Sequence, residues 1–419
     1  MVTDRNATQH PPRGSAVPAG SRPVPTSVDE IPFGIEELFF SRTDARGRIL
    51  AGNDVFQRVS RYAWEEMIER PHNIIRHPEM PRAVFYLLWD RIRAGLPVGA
   101  YVKNRAQDGR HYWVFAVVTP IEDGFLSVRL KPGSPLFAAA AQLYAVIRKE
   151  ELASDCKPAE SAHLLLRHLG AAGFVDYPSF MAGALASEIR QRDAALGRPA
   201  WPSLSHFEEL IGSAAILQKT AERMLELTSA FRYTPGNLRI QAARMGEEGR
   251  AISEISTNYG HISDSIVENL RLLHASAQEV FASVNDGLFL ACTARLQEET
   301  AAFFTREAAA KGEPAGDEAG RLLRQTEEYK RLAVEKFEHI KAHIARFFNL
   351  TSEMKRLCSA LVAVRVMGKV ESVNMYHGIF AELIGDLERG QEALSGGLSD
   401  IWSINSRIKD NIRHIDGGG

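Results

Sequence analysis

Past Pro135 the apolar residues fall into alternating steps of three and four, and that period limits the fold more than any other feature of the chain. Leu204, Phe207, Ile211, Ala214, Ala221, Leu225 and Thr228 keep the step, with Gln218 as one polar interruption. Ile252, Ile255, Tyr259, Ile262, Ile266 and Leu273 resume it after a break at TPGNLRIQAARMGEEGR. Two further series run from Leu322 to Phe347 and from Ile379 to Ile408. Side chains spaced this way form a seam along a helix that only another helix can cover. The expectation is a long all-α region of coiled-coil or four-helix-bundle type, with one hairpin over 204–308, a flexible Gly/Pro-containing loop over 309–320 and a second hairpin over 321–413. The period is equally compatible with a bundle closed in one chain and with pairing to a second copy.

The first third has a different composition. GRILAGND and GLPVGAYVKNRAQDGRHYWVFAVVTPIEDGFLSVRL are rich in β-branched and aromatic residues, and Asp108-Gly109 and Glu122-Asp123-Gly124 are hairpin turns, so an α+β domain with an antiparallel sheet is expected over 29–135. Residues 136–203 are expected to be a helical linker, 1–28 a disordered Pro/Ser/Arg leader, and 414–419 a tail. The 419 residues carry a formal charge of −2, which argues against nucleic acid as the main partner. No apolar run approaches the ~20 residues of a membrane span, so a cytoplasmic protein is expected. Cys156, Cys292 and Cys358 are far apart and form no CxxC, which indicates neither a disulfide framework nor a zinc site. His339 and His343 stand four apart on a helix, a spacing with no third ligand nearby and better read as a solvated or bundle-lining pair. There is no GxGxxG after a strand, no GxxxxGK[ST] and no HExxH, and a non-enzymatic protein is expected.

One segment stands apart. RPHNIIRHPEMP, residues 70–81, has too many prolines for a helix interior, so its polar side chains are displayed from irregular backbone. Trp89 follows in AVFYLLWDRI, where the residues alone favour a core position over a ligand wall. Asn53 reads as a cap or bend at a strand end, and of Tyr112 and Trp113 only one can face the interior.

Taken together, the GND strand end, PHNxxRHPxMP, the tryptophan after it and VKNRxxDGxxYWV resemble the PAS sensor domain of Aer-type aerotaxis transducers over about residues 35–131. The resemblance implies a cupped sheet holding FAD, with Arg76, His77 and Glu79 over the cofactor, Trp89 lining its pocket and Asn104 facing it from the next strand. Glu79 stands where that family commonly has Asp. All three cysteines lie outside this stretch, so light-driven cysteinyl–flavin chemistry is not expected. A second stretch, NLRIQAARMGEEGRAISEIS, is similar to the hairpin tip of methyl-accepting chemotaxis proteins through Asn237, Ala242, Ala243, Arg244, Gly246, Glu247, Gly249 and Arg250. That similarity implies that Arg244 and Glu247 meet the chemotaxis coupling protein and histidine kinase, weakly or in altered form, because Gln241 and AISEIS depart from the family pattern and Pro235-Gly236 interrupts the approaching helix. The expected function is a cytoplasmic redox or oxygen sensor of homodimeric type. The alternatives are a haem-binding PAS oxygen sensor, with haem b on His72 or His77, and a cofactor-free PAS/coiled-coil scaffold.

Overall fold

The computed structural model describes residues 29–226, 228–312, 317–373 and 378–416; the expected leader, residues 417–419 of the tail and residues 313–316 of the expected loop lie outside them. Five strands, β1 (Phe39–Asp44), β2 (Ile49–Gly52), β3 (Val98–Arg105), β4 (His111–Ile121) and β5 (Gly124–Leu130), form an antiparallel sheet in the order β2-β1-β5-β4-β3. The two DG turns are where the sequence places them: Gly109 N–H closes on Ala106, and Ile121 pairs with Gly124 across two residues. Helices α1 (Asp54–Ser60), α2 (Trp64–Met67) and α3 (Arg82–Arg93) lie in the crossover from β2 to β3. Asn53 is the cap its position suggested. Its Oδ1 accepts from the N–H groups of Phe40 and Phe56, while Nδ2 donates to Leu38, so one side chain ties β1 to the start of α1.

Residues 136–203, the expected helical linker, pack against the α+β domain. They form α4 (Pro135–Ser154), α5 (Pro158–Ala171) and α6 (Tyr177–Ala195), which close onto the α+β domain. Glu188 of α6 is buried and accepts from Tyr101 of β3 and from the Gly133 N–H. Glu151 of α4 is buried as well. It accepts from the Arg82 N–H at 2.6 Å and from Arg148 at 2.9 Å, so a carboxylate of α4 caps the first turn of α3.

The helical half consists of α7 (Pro202–Glu226), α8 (Thr228–Arg244), α9 (Arg250–Lys311), α10 (Asp317–Val373) and α11 (Gly378–Asp416). The α7/α8 arm, α9, α10 and α11 pack round one core within the chain. Two details differ from the sequence reading. Along α7, Leu204, Phe207, Ala214 and Ala221 of the expected seam are buried, but Leu210, Leu217 and Met224 enter the core in place of Ile211, Gln218 and Leu225, which stand one residue later in each case. The seam is widened on one side because a 3.6-residue helix drifts against a strict 3.5-residue repeat. The hairpin break is also confined to a 3₁₀ turn at Gly246–Gly249, and α8 runs through Pro235-Gly236 without ending. Ser256 of α9 donates to the Pro235 carbonyl at 2.6 Å, steadying the helix at the proline. At the turn Gly249 is required, since a Cβ there would meet the Ala242 carbonyl oxygen at 2.0 Å. The side chains of Thr228, Ile379 and Leu383 lie outside the description.

The bundle sits directly on the sheet. β5 is buried on both faces: Phe125, Ser127 and Arg129 point to α3, and Leu126, Val128 and Leu130 to the helices behind. Phe304 of α9 meets Phe40 at 5.6 Å, and Phe289 approaches Gly99 so closely that a Cβ there would lie 2.9 Å from its ring. Gln325 of α10 accepts from Thr119 and from Gln297 of α9, each at 2.9 Å, and donates to the Pro120 carbonyl at 2.9 Å. Arg42 reaches Glu318 at 2.8 Å. Trp113, on this outer face, packs on Phe137 of α4, whereas Tyr112 is turned inward against Phe39.

Candidate functional site

Between the inner face of the sheet and α3 lies a cavity of about 240 Å³. Its walls follow from strand alternation. Ser41 on β1, Asn104 on β3, Ala116 on β4 and Ser127 and Arg129 on β5 share one face, and α3 supplies Phe85 and Trp89 from the other side. Trp89 stands edge-on to Phe125 with centroids 5.7 Å apart, and Gly47 leaves room for its indole. The proline-rich segment closes one edge. His72–Ile75 is a short 3₁₀ turn, after which the backbone is extended and Arg76 bridges to Asn104 of β3. This bridge brings Arg76 and Asn104 together although 28 positions separate them in sequence. The Arg76 guanidinium lies 3.8 Å from the centre of the Phe85 ring, and burial together with repulsion from Arg148 holds its pKa down at about 10.

Of the five residues expected to touch a cofactor, Arg76, Trp89 and Asn104 line the cavity. His77 and Glu79 lie outside it. The next residue of an extended segment points the other way, and His77 is buried beside His111, its Nδ1 accepting from the Glu79 N–H at 3.3 Å. Burial and Lys103 push its pKa down to about 4. Glu79 is on the surface, paired with Lys103 at 2.6 Å.

The cavity also has a group that sequence reasoning passed over. Arg129 is buried, and burial lowers its pKa to about 10. Its Nη2 donates to Ser41 Oγ at 2.9 Å and meets His72 Nε2 at 2.7 Å, while Nη1 has no partner. No carboxylate answers it among the described residues. His72, stacked on Phe56, is driven to a pKa of about 3 by burial and by Arg129, so the imidazole is neutral with Nε2 as the acceptor. Ser127 Oγ is a second buried polar atom with no partner. A buried cation without a counter-ion costs several kcal/mol. Set beside an orphan hydroxyl and an aromatic wall, it suits a flat ligand that presents oxygens or negative charge. The volume, below the ~300–1,000 Å³ usual for a whole drug-sized ligand, seats one ring system and leaves any longer tail outside. The strand pattern held a clue: Ser127 and Arg129 alternate with Leu126, Val128 and Leu130 in a strand with no other polar residue.

A cupped five-stranded antiparallel sheet with its helices and a ligand-sized cavity on one face defines a PAS domain. Residues 49–127 match the family described as the PAS fold. Over 118 residues the chain is 36% identical to the aerotaxis receptor of Escherichia coli (strain K12), a match covering 27% of this chain and 23% of the receptor. The chain thus spans about a quarter of the length of that curated relative. Among solved structures, the light state of the blue-light photoreceptor Aureochrome1 LOV is 19% identical, covering 26% of this chain and 90% of that one with a TM-score of 0.23. A blue-light activated histidine kinase of Erythrobacter litoralis is 16% identical, covering 46% and 58%, also with a TM-score of 0.23. At such scores the solved structures carry no argument about this chain.

The residues expected to meet a partner lie at the other end of α9, about 60 Å from the sheet at 1.5 Å per residue. Arg244 ends α8 and Glu247 sits in the 3₁₀ turn; both are exposed, and Glu247 approaches Arg250 at 3.5 Å. No helix among the described residues is long and apolar enough to cross a membrane, and no cluster of three metal-ligating side chains occurs among them.

Proposed function

We propose that this chain is a cytoplasmic, non-enzymatic redox or oxygen sensor that holds FAD in the PAS cavity and passes the state of that cofactor into its helical bundle. The observation that carries the reading is Arg129, a buried guanidinium with an unpaired Nη1, lining a cavity walled by Trp89. The relationship to an aerotaxis receptor over the same residues supports flavin as the flat ligand. Bound there, a flavin supplies a ring system whose charge and protonation change with its redox state. Arg129 Nη1 would donate to a ring oxygen or anionic edge, Asn104 and Ser127 would bond the remaining polar edge, and Trp89 would cover the face. Arg76, at the cavity edge, would serve the diphosphate outside. His72 suits this role better than that of a haem ligand, because its Nε2 is already engaged by Arg129.

Transmission follows from the two-sidedness of the sheet. Arg129 and Ser127 are on the inner face of β5, and Leu126 pairs with Thr119, whose hydroxyl is held by Gln325. A sub-ångström adjustment of β5 therefore acts on α9 and α10 without passing through residues 136–203. At the far end, Arg244 and Glu247 would meet the chemotaxis coupling protein and histidine kinase, weakly, since Ser253 and Glu254 offer little apolar area there. A homodimer would form through surfaces outside the bundle core, which closes within one chain.

The deciding experiment is the visible spectrum of the purified full chain with extraction of its cofactor. Flavin bands and released FAD are expected. A Soret band would replace the reading with a haem sensor, and a colourless protein that takes up no added flavin would replace it with a scaffold.

A further inference from the structure

Far from the PAS cavity, a groove of about 560 Å³ runs between α10 and α11. Three cations line it, Lys341, Lys409 and Arg413, and no carboxylate does. Lys341 answers Glu338 at 2.8 Å and Arg413 approaches Asp410 at 3.5 Å, but Lys409 has no partner among the described residues. Its walls are Phe348 and Trp402, which are 52% and 48% exposed. Their neighbours Phe347 and Ile401 are the residues turned into the bundle, so these two rings form an aromatic layer that the core does not need. Asn405 is only 6% exposed. Its Nδ2 donates to the Ile344 carbonyl at 3.4 Å, and its Oδ1 has no donor.

We propose that this groove is a second ligand site, for a small aromatic anion that carries an N–H or O–H donor. Each part of that description answers one part of the groove. The rings of Phe348 and Trp402 take an aromatic body, Lys409, which no carboxylate answers among the described residues, takes a negative group with Arg413 beside it, and the buried Asn405 Oδ1 takes the donor. A docked acidic helix fits less well. Its backbone N–H groups are spent on its own hydrogen bonds and cannot reach an acceptor so deeply placed. The site lies between the two helices that follow the sheet-contacting end of α10, so a ligand there would bear on the same bundle that receives the PAS domain's state.

The probe is 1-anilinonaphthalene-8-sulfonate, which has the aromatic body, the anionic group and an N–H, titrated into the full chain by fluorescence. One saturable site is expected. Lys409→Glu combined with Arg413→Glu, both exposed and so harmless to folding, should weaken it at least about tenfold, as losing charge-assisted contacts does. Asn405→Leu should weaken it too without lowering the unfolding temperature, because it removes an orphan acceptor. Trp89→Ala, in the PAS cavity, should leave this site unchanged. The proposal is overturned if the charge-reversed protein binds as wild type, if uncharged N-phenyl-1-naphthylamine binds equally tightly, if Trp89→Ala removes the site, or if only acidic helical peptides saturate it.

Discussion

At the scale of single residues, Arg129 separates a binding role from a structural one. A cation that merely held the fold would be missed on removal, whereas this one is buried without a carboxylate and costs the empty domain stability. Arg129→Met should therefore purify with little or no flavin while its unfolding temperature, measured without cofactor, equals or exceeds that of wild type. A fall of several degrees in the cofactor-free protein would make Arg129 a structural residue. Trp89→Ala should also lose the cofactor and keep its circular dichroism spectrum. His72 adds a pH dependence. Its folded pKa of about 3 lies below the ordinary 6.5, so the unfolded chain binds the extra proton, and stability is full above pH 6.5 and declines as pH falls towards 3. The slope from this one group is at most about 1.4 kcal/mol per pH unit. Arg129 loses its proton only near pH 10 and adds no slope in that window. His72→Gln, which keeps an acceptor for the guanidinium, should flatten the decline between pH 6 and pH 4 in denaturant titrations, those values being set by the ordinary histidine range.

At the scale of elements, the contact between sheet and helices matters most. Gln325 joins Thr119, Gln297 and the Pro120 carbonyl at one buried point where β4, α9 and α10 meet. Gln325→Leu removes three hydrogen bonds at that point, leaving Gln297 and Thr119 only their weaker contacts with each other and with the Leu126 carbonyl, and should cost about 1–3 kcal/mol. Its more telling effect is on coupling. Reducing the wild-type protein should change hydrogen exchange in α9 and α10 near residues 297 and 325, and the variant should keep its spectrum and lose that change. An unaltered exchange response in Gln325→Leu would move the route elsewhere, most simply to α4–α6. The seam of α7 has its own test: Leu217→Ala, at a fully buried position, should cost about 2–5 kcal/mol. Leu225→Ala, half-buried, should cost clearly less.

At the scale of the whole molecule, the proposed input and output stand at opposite ends of α9, a helix of 62 residues. A helix so long transmits by small shifts against its partners, and an equilibrium of a few kcal/mol between two packings is enough. The tip keeps the charges of a chemoreceptor-like turn but little apolar area, and exposed charges contribute about 1 kcal/mol or less each. Arg244→Ala or Glu247→Ala should abolish whatever binding to the coupling protein calorimetry detects. Sub-micromolar binding indifferent to both would place the contact away from the tip.

The sequence by itself determined what local physics controls. Hairpin turns at Asp108-Gly109 and Glu122-Asp123-Gly124, the irregular backbone of residues 70–81, the cap at Asn53 and the existence of long paired helices all follow from backbone preferences and apolar period. The resemblance of residues 35–131 to a known family brought Arg76, Trp89 and Asn104 into consideration. Tertiary structure alone decided what depends on two distant segments meeting. Arg129 becomes a buried cation with no carboxylate only because helices cover both faces of β5. Residues 136–203 read as a helical linker, and their packing on the sheet domain was not legible because the contacts with Tyr101 and Arg82 lie dozens of residues away. Which of Leu217 and Gln218 enters the core is settled by packing and not by period, since burial is a property of the assembled surfaces and not of the residues that make them.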